Sequence, residues 1–440
     1  MKIPGGLKAI RQTFAVRNYR LYVIGNLSST IGMWVQRVAI GWLTWELTES
    51  PAWLGGMALA ESAPTILLGF FAGAVVDRVN YVRLLRITQA LTLIYSVSLA
   101  VFTFAGLTDI WILLALTMFR GGVLAFSRPS RMTMVYNMVG RDLLASAIAT
   151  NSMIFNSARF VGPALGGAII VAGGAAWTFA VGALLFFVFT LALRAMRFET
   201  EPPRKPSGTS MLAETLTGFR YILGHAGIRT QLALMGVISI IVKPLTDLFP
   251  GFAADVFGQG PGGLALLFSC HGVGAMAGGL WLTSRASLKG LTRINLANIM
   301  VIGSTVFLFA VMPVFWVACI LVTLVGFSFI VQGISNQTLI QSAVAPQFRG
   351  RVVSAYGLIN QGVPAFGAMV MGGIAEHSGL PWPVAGGALI CLVLGVWAWG
   401  HRGRMAANLE TEALREAQDR AEEKARSKAG ADESGGNRPR

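Results

Sequence analysis

Long apolar runs separated by short polar turns fill most of the chain. Each run has about the twenty residues that an α-helix needs to cross a bilayer core roughly 30 Å thick. We therefore predict an all-α integral membrane protein with twelve transmembrane helices. The first six are predicted over 21–47, 52–76, 82–105, 110–138, 143–172 and 175–196. The second six are predicted over 230–257, 262–283, 294–313, 315–344, 352–377 and 383–400.

Polar segments divide these helices into two six-helix bundles. A basic arm over 1–17 precedes the N-terminal bundle over 18–198, and a proline-rich linker with a surface helix occupies 199–225. The C-terminal bundle covers 226–402. A charged tail covers 403–440, and we expect it to be a solvated helix that becomes disordered.

The composition supports a bilayer environment. Of the 440 residues, 54% are hydrophobic and only 12% are charged, whereas soluble proteins carry roughly a quarter charged residues. The three cysteines lie inside apolar runs and have neither metal-site nor disulfide spacing. We expect no metal and no cofactor.

The placement of the basic residues predicts the topology. Lys and Arg occur in the turns on the N-terminal side of the membrane, which are 78–86, 128–141, 194–229, 285–293, 349–351 and 402–404. They are absent from the opposite turns, 48–51, 106–109, 173–174, 258–261, 312–314 and 378–382. By the positive-inside rule both termini are cytoplasmic, next to the anionic inner leaflet. This distribution also argues against nucleic acid as the reason for the net charge of +15.

One inter-helix turn combines an acid with several arginines. It reads Gly73-Ala-Val-Val-Asp77-Arg78-Val-Asn80-Tyr-Val-Arg83. Glycine allows close helix approach, and a carboxylate at a helix end can hold a cation or a neighbouring helix N-terminus. An ordinary positive-inside turn is the alternative. The segment resembles the loop between helices 2 and 3 of the major facilitator superfamily, but it has Asn80 and Tyr81 where glycine and arginine are usual.

The two halves also resemble each other. A shift of 206 residues carries Arg37 onto Lys243, Gly73 onto Gly279, and Gly166-Gly167 onto Gly372-Gly373. Parallel six-helix repeats around a midplane site are the architecture of major facilitator transporters.

Within that superfamily the chain resembles the group of enterobactin-exporter-like and drug-efflux proteins over roughly residues 14–402. The segments that carry this resemblance are Asn18-Tyr-Arg20, Trp34-x-x-Arg37-Val-Ala-x-Gly-Trp42, Leu47-Thr-x-Ser50-Pro51, Ala125-Phe-x-x-Pro129-x-Arg131, Arg159-x-x-Gly162-Pro163-Ala-Leu-Gly166-Gly167, Arg349-Gly-Arg351-Val-x-Ser354, Gly362-x-Pro364 and Gly372-Gly373. In exporters of the superfamily, a pattern similar to Gly162-Pro163-x-x-Gly166-Gly167 is associated with antiport. The alternative is that these residues only bend and pack the fifth helix.

Ionisable residues inside the predicted spans are the main candidates for function, because each needs a partner or a water-filled cavity there. Four cations (Arg37, Arg120, Arg159 and Lys243) outnumber the two acids Glu61 and Asp247. This excess predicts a cavity that attracts anions, with Arg37 and Lys243 from equivalent positions of the two repeats flanking it. Ion pairs that only hold helices together, such as Arg with Glu61 and Lys243 with Asp247, are the alternative.

Glu61 and Asp247 are the acids available to carry protons, and Asp77 at the rim is better placed for a gate. The amides Gln332, Asn336 and Asn360 on helices 10 and 11 either line a substrate path or bond helices to one another. Of the four histidines, His271 lies in mid-span, where we predict a packing role.

Two function classes remain, a secondary transporter and a membrane-embedded enzyme. The enzyme would need a catalytic cluster in the spans, and the sequence shows none, so we expect no enzymatic activity. We predict a monomeric, proton-driven exporter of a small amphiphilic or anionic molecule, a siderophore or drug, in a bacterial cytoplasmic membrane. An uptake carrier for an anionic metabolite is the alternative.

Overall fold

The computed structural model describes residues 6–197, 219–285 and 289–410, with no side-chain description at 6–10, 70, 73, 74, 77, 78, 141, 142, 145 and 346. The basic arm contributes α1 (Gly6–Ala15). The rest of the first half consists of α2 (Arg17–Thr48), α3 (Pro51–Arg78), α4 (Tyr81–Phe104) and α5 (Ile110–Ala195).

Helix α5 is three helices joined end to end. Its 86 residues are interrupted at Gly140 and Gly174, whose φ angles of 69° and 83° are left-handed. Only glycine adopts this conformation without strain. The first of these breaks lies in the predicted basic turn 128–141 and the second in the turn 173–174, so the chain reverses where the sequence predicted.

The second half consists of α6 (Ala226–Ile241), α7 (Leu245–Gly251), a π-helical segment (Phe252–Val256), α8 (Pro261–Thr283), α9 (Leu291–Val311), α10 (Phe315–Ala343), α11 (Arg349–Gln361), α12 (Val363–Ser378) and α13 (Pro381–Gly400). Among the described residues, nine helical segments are long and apolar enough to cross a membrane. One of them, Ser146–Ala195, contains the Gly174 break, and α2 and α3 are long enough to cross without being among the nine. The exact number of twelve stays a prediction.

Two spans that the sequence predicted as continuous helices are broken near their middle. The span predicted over 230–257 is interrupted at 242–244 between α6 and α7, and the span predicted over 352–377 is interrupted at Gly362 between α11 and α12. Pro244 and Pro364 explain both breaks, because proline has no N–H for the helix ladder and clashes with the preceding turn. These breaks lie beside Lys243 and Asn360.

The two halves pack against each other at the end that carries the turns without Lys or Arg. A Cβ atom at Gly55 would meet the backbone carbonyl of Ala368, and one at Gly372 would meet that of Pro51. A Cβ at Gly167 would likewise meet the side chain of Ala265 in α8. Small residues thus let α3 approach α12 and α5 approach α8 at backbone distance.

The start of the charged tail is docked on the second half. Residues 402–410 are helical, and Leu409 is fully buried. The Glu410 carboxylate accepts hydrogen bonds from the backbone N–H groups of Gly290 (2.9 Å) and Thr292 (2.7 Å) at the start of α9. The expectation of a solvated helix is wrong for this segment, because Leu409 and Glu410 bind it to the bundle; the rest of the tail lies outside the described residues.

Candidate functional site

An ion pair joins the two halves of the protein near the middle of the spans. Arg37 of α2 donates from Nη2 to Asp247 Oδ1 of α7 at 2.6 Å. The Asp247 side chain is 17% exposed and that of Arg37 is 41% exposed, so the pair borders an open space. Arg37 also lies over the ring of Trp34, 5.5 Å from its centroid.

Lys243 has a different partner from the one considered in the sequence. Its Nζ donates to Asn360 Oδ1 at 2.5 Å, and this bond links the two helix breaks. The i,i+4 pairing of Lys243 with Asp247 assumed a continuous helix. The interruption at 242–244 separates the two residues from one continuous helix, and Asp247 pairs with Arg37 instead.

The repeat relation between Arg37 and Lys243 therefore does not extend to their contacts. Shifting Asp247 back by the same 206 residues (247 − 206 = 41) gives Gly41. The first half thus offers no carboxylate at the position where the second half offers Asp247. If Lys243 paired as Arg37 does, its partner would be residue 41. Because residue 41 is glycine, Lys243 donates to the neutral Asn360 instead.

Glu61 forms an ion pair within the first half. Arg120 Nη1 donates to Glu61 Oε1 at 2.5 Å, and Arg120 is buried. Helices α3 and α5 are close here, since Thr65 Oγ1 donates to the Gly121 carbonyl at 2.7 Å. A pairing of Glu61 with an arginine was the structural alternative considered for this residue.

Arg159 has a histidine as its partner. Its Nη2 lies 3.3 Å from His271 Nδ1 of α8 in the other half, and its guanidinium lies 5.7 Å from the Trp34 ring centroid. Trp34 thus contacts both Arg37 and Arg159. His271 is 2% exposed and also packs on Phe249 and Phe329, so the packing role predicted for it is only part of its environment.

The amide residues form a hydrogen-bonded network that borders a cavity. Asn336 Oδ1 accepts from Gln231 and from Asn295 Nδ2 (2.8 Å), and Gln332 Oε1 accepts from Asn298 Nδ2 (3.1 Å). A cavity between α6, α10 and α11 is lined by residues that include Lys243, Gln332, Asn336 and Asn360. The sequence left two alternatives for Gln332 and Asn336, hydrogen bonding between helices and lining of a cavity. In the structure both residues do both.

The two predicted motifs differ in how much the structure describes. Gly73, Asp77 and Arg78 lie in α3, with side chains outside the described part, and Arg83 is exposed. In the helix-bend motif, Cβ atoms at Gly162 and Gly166 would meet Trp34 and Val35 of α2. Gly167 faces α8, and Pro163 lies inside α5. This motif packs three helices around the Arg37 and Arg159 sites.

One polar contact between the halves was missed in the sequence. Glu376 Oε2 of α12 accepts from Ser50 Oγ (2.7 Å) and from the backbone N–H of Ala52 (3.2 Å). The carboxylate thereby caps the N-terminus of α3, where a negative charge is favourable. The turn over 48–51 was predicted from the sequence, but nothing in the sequence pairs Ser50 with a residue 326 positions away.

Glu61→Gln is expected to destabilise the protein, because it leaves the buried Arg120 charge without its counter-ion. Losing one partner of a buried pair costs about 3–5 kcal/mol. Thermal unfolding of the purified protein should show a lower midpoint for Glu61→Gln and partial recovery in the double variant Glu61→Gln/Arg120→Gln. An unchanged midpoint in the single variant would show that the pair does not support the fold.

Comparison with known proteins agrees with this architecture. A family model described as transmembrane secretion effector matches residues 11–431. The chain belongs to this family. It is a transporter family of the major facilitator type, and the resemblance seen in the sequence is confirmed.

Three curated relatives of this chain are transporters. The staphyloferrin A transporter of Staphylococcus aureus is 24% identical over 377 residues, covering 83% of this chain and 91% of that protein. The multidrug efflux pump Tap of Mycolicibacterium fortuitum is 25% identical and covers 86% and 94%. The enterobactin exporter EntS of Salmonella choleraesuis is 24% identical and covers 88% and 92%.

Solved structures show the same fold. A peptide transporter POT variant aligns with a TM-score of 0.70 at 14% identity, covering 89% of this chain and 95% of that one. A bacterial homologue of the human lysosomal transporter Spinster, inward-facing and unoccupied, aligns with a TM-score of 0.65 at 16% identity and covers 90% and 98%. These structures confirm the predicted major facilitator fold. The family match and the curated relatives show that the chain is a multi-pass membrane transporter and not an enzyme.

Proposed function

We propose that this transporter exports a small amphiphilic or anionic molecule, such as a siderophore or drug, in exchange for protons by alternating access. The observation that carries the proposal is the Arg37–Asp247 ion pair between the two halves. Protonation of Asp247 removes the charge that Arg37 binds, so the proton changes a contact between the parts that must move. Glu61 is the second candidate carrier.

The position of this pair supports a role in the transport cycle. Arg37 and Asp247 lie on α2 and α7, whereas Glu61 and Arg120 lie in the same half. A bond between the halves stabilises the conformation in which it forms relative to the conformations in which it is broken. A ligand or proton shifts this conformational equilibrium only if it binds one conformation more tightly than the other. Asp247 therefore suits coupling better than Glu61.

The direction of transport and the cargo class rest on the relatives. Two of them are named as an enterobactin exporter and a multidrug efflux pump. With the basic turns on the cytoplasmic side, the end at which Gly55 and Gly372 bring the halves to backbone distance is the outer one. We place the protein in a bacterial inner membrane as a monomer with both termini cytoplasmic, and Asp77 as a latch of its cytoplasmic gate.

The charge of the cargo gives one specific reason to keep proton-driven uptake as a second candidate. If an anion bound Arg37, protonation of Asp247 would free that site, so proton and anion would bind together. If the proton and the anion bind together, they also cross the membrane together. An inward proton gradient then drives uptake of the anion. Export in exchange for protons requires that the anion bind a different group.

Inverted membrane vesicles test the proposal. Compounds are first selected by a thermal-shift screen of siderophores, antibiotics and anionic metabolites on purified protein. An exporter should accumulate a selected compound inside inverted vesicles with an acidic lumen, and an uncoupler should abolish the accumulation. Accumulation only in right-side-out vesicles would support uptake, and accumulation insensitive to the uncoupler would contradict proton coupling.

A further inference from the structure

The charges in the middle of the protein are not equally available. Arg37 is neutralised by Asp247 and Arg120 by Glu61. Within the described ranges, neither Arg159 nor Lys243 has a carboxylate within ion-pair distance. An unpaired cation in a membrane interior is costly, so these two positions favour an anionic ligand.

Arg159 is surrounded by hydrogen-bond donors that lack acceptors. Because a guanidinium only donates, His271 Nδ1 must accept from it, and the His271 proton is then on Nε2. His271 Nε2, Arg159 Nε and Trp34 Nε1 are all buried and have no partner among the described residues. Unsatisfied donors cost free energy in a buried site, and a ligand rich in acceptor oxygens can remove that cost.

Lys243 faces the same region from the second half. Its Nζ bonds to Asn360 at the cavity between α6, α10 and α11. Phe329 connects the two positions, since it lines the cavity with Lys243 and packs edge-to-face on His271. An anionic group bound by both Arg159 and Lys243 neutralises two cations that lack a carboxylate partner in the described part of the chain and links the two halves.

We propose that Arg159 and Lys243, assisted by Trp34 and oriented by His271, bind the anionic oxygen group of the cargo, and that Arg37 does not. The inference rests on the proposed function and assigns the head group within its site. It also removes the conflict described above, because an anion bound here does not displace Asp247 from Arg37, so protonation of Asp247 does not favour its binding.

A matched pair of fluorescent probes tests the assignment. Dansylglycine carries a carboxylate, and dansylglycinamide is its neutral counterpart. Both are titrated into the full-length protein in nanodiscs of zwitterionic lipid. The wild type should bind dansylglycine about tenfold more tightly or better, the size expected for a charge-assisted hydrogen bond.

The variants separate this site from its neighbours. Arg159→Gln and Lys243→Gln should each lower the affinity for dansylglycine about tenfold and leave that for the amide within about twofold. Arg159→Lys keeps the charge and should retain part of the preference. It replaces Arg159→Gln as the test variant if Arg159→Gln folds poorly. The double variant Arg37→Gln/Asp247→Asn and the surface variant Arg402→Gln should retain the full preference.

Three results would overturn the assignment. They are an absence of anionic preference in the wild type, an equal loss of both probes in the Arg159 and Lys243 variants, and a loss of preference in Arg37→Gln/Asp247→Asn. A preference abolished by nanodiscs containing phosphatidylglycerol would assign the site to a lipid head group instead. None of these results bears on proton-driven export, which the vesicle accumulation experiment decides separately.

Discussion

Asp247→Asn is expected to abolish pH-driven accumulation of the cargo while leaving exchange of labelled for unlabelled cargo in place. Asparagine keeps the size of the side chain and a hydrogen bond to Arg37 but carries no proton. One pH unit supplies about 1.4 kcal/mol per proton, which corresponds to about a tenfold concentration ratio. In the variant this ratio should fall to about one. Accumulation and exchange are measured in proteoliposomes with an imposed pH difference.

Asp255→Asn is the matched control, because Asp255 follows α7 in the same span but is exposed and pairs with neither Arg37 nor Arg159 in the described contacts. It should accumulate cargo as the wild type does. Full pH-driven accumulation in Asp247→Asn, in Glu61→Gln and in their combination would exclude both acids as proton carriers.

Gly372→Val is expected to prevent closure of the end at which the halves meet. The backbone of α12 approaches α3 so closely at this point that a Cβ would contact the Pro51 carbonyl, with Ala52 Cα 3.3 Å away. Overpacking costs typically about 1–3 kcal/mol. The ratio of open to closed populations at this end should therefore rise about 5- to 150-fold, and transport should fall accordingly.

Spin labels at positions 107 and 382, on exposed residues of opposite halves at this end, report the change. Their distance distribution should shift to longer values in Gly372→Val. The neighbouring variant Gly373→Val is the control, since a Cβ at Gly373 meets nothing within 4 Å. Equal effects of both substitutions, or no shift with Gly372→Val, would show that this contact does not limit closure.

The membrane fold was predictable because its signal is local. A window of about twenty residues decides whether a segment crosses the bilayer, and Gly140 and Gly174 reverse the chain within the predicted turns. The breaks at Pro244 and Gly362 were within reach of the same reasoning, since proline in a helix interior is a known interruption. Both spans were predicted as continuous helices, and the alignment of Lys243 with Asp247 on one face was therefore wrong.

The partners in the site were not predictable in the same way. Arg37, Glu61, Arg159 and Asp247 were recognisable as buried charges because charge inside an apolar run is rare. Their pairing depends on how the two halves pack, and Arg37 meets a residue 210 positions away. Glu376 at a helix end and His271 among apolar residues carried no signal that distinguished them from ordinary surface and core positions.

Proton movement during transport distinguishes export in exchange for protons from uptake and from uncoupled transport. Inverted vesicles are given an acidic lumen that quenches a pH-sensitive dye, and a compound selected in the screen is added outside. Cargo entry is expected to release protons from the lumen and restore the fluorescence, and Asp247→Asn vesicles are expected to show no such recovery. Cargo entry without recovery, or with further acidification of the lumen, would contradict proton exchange.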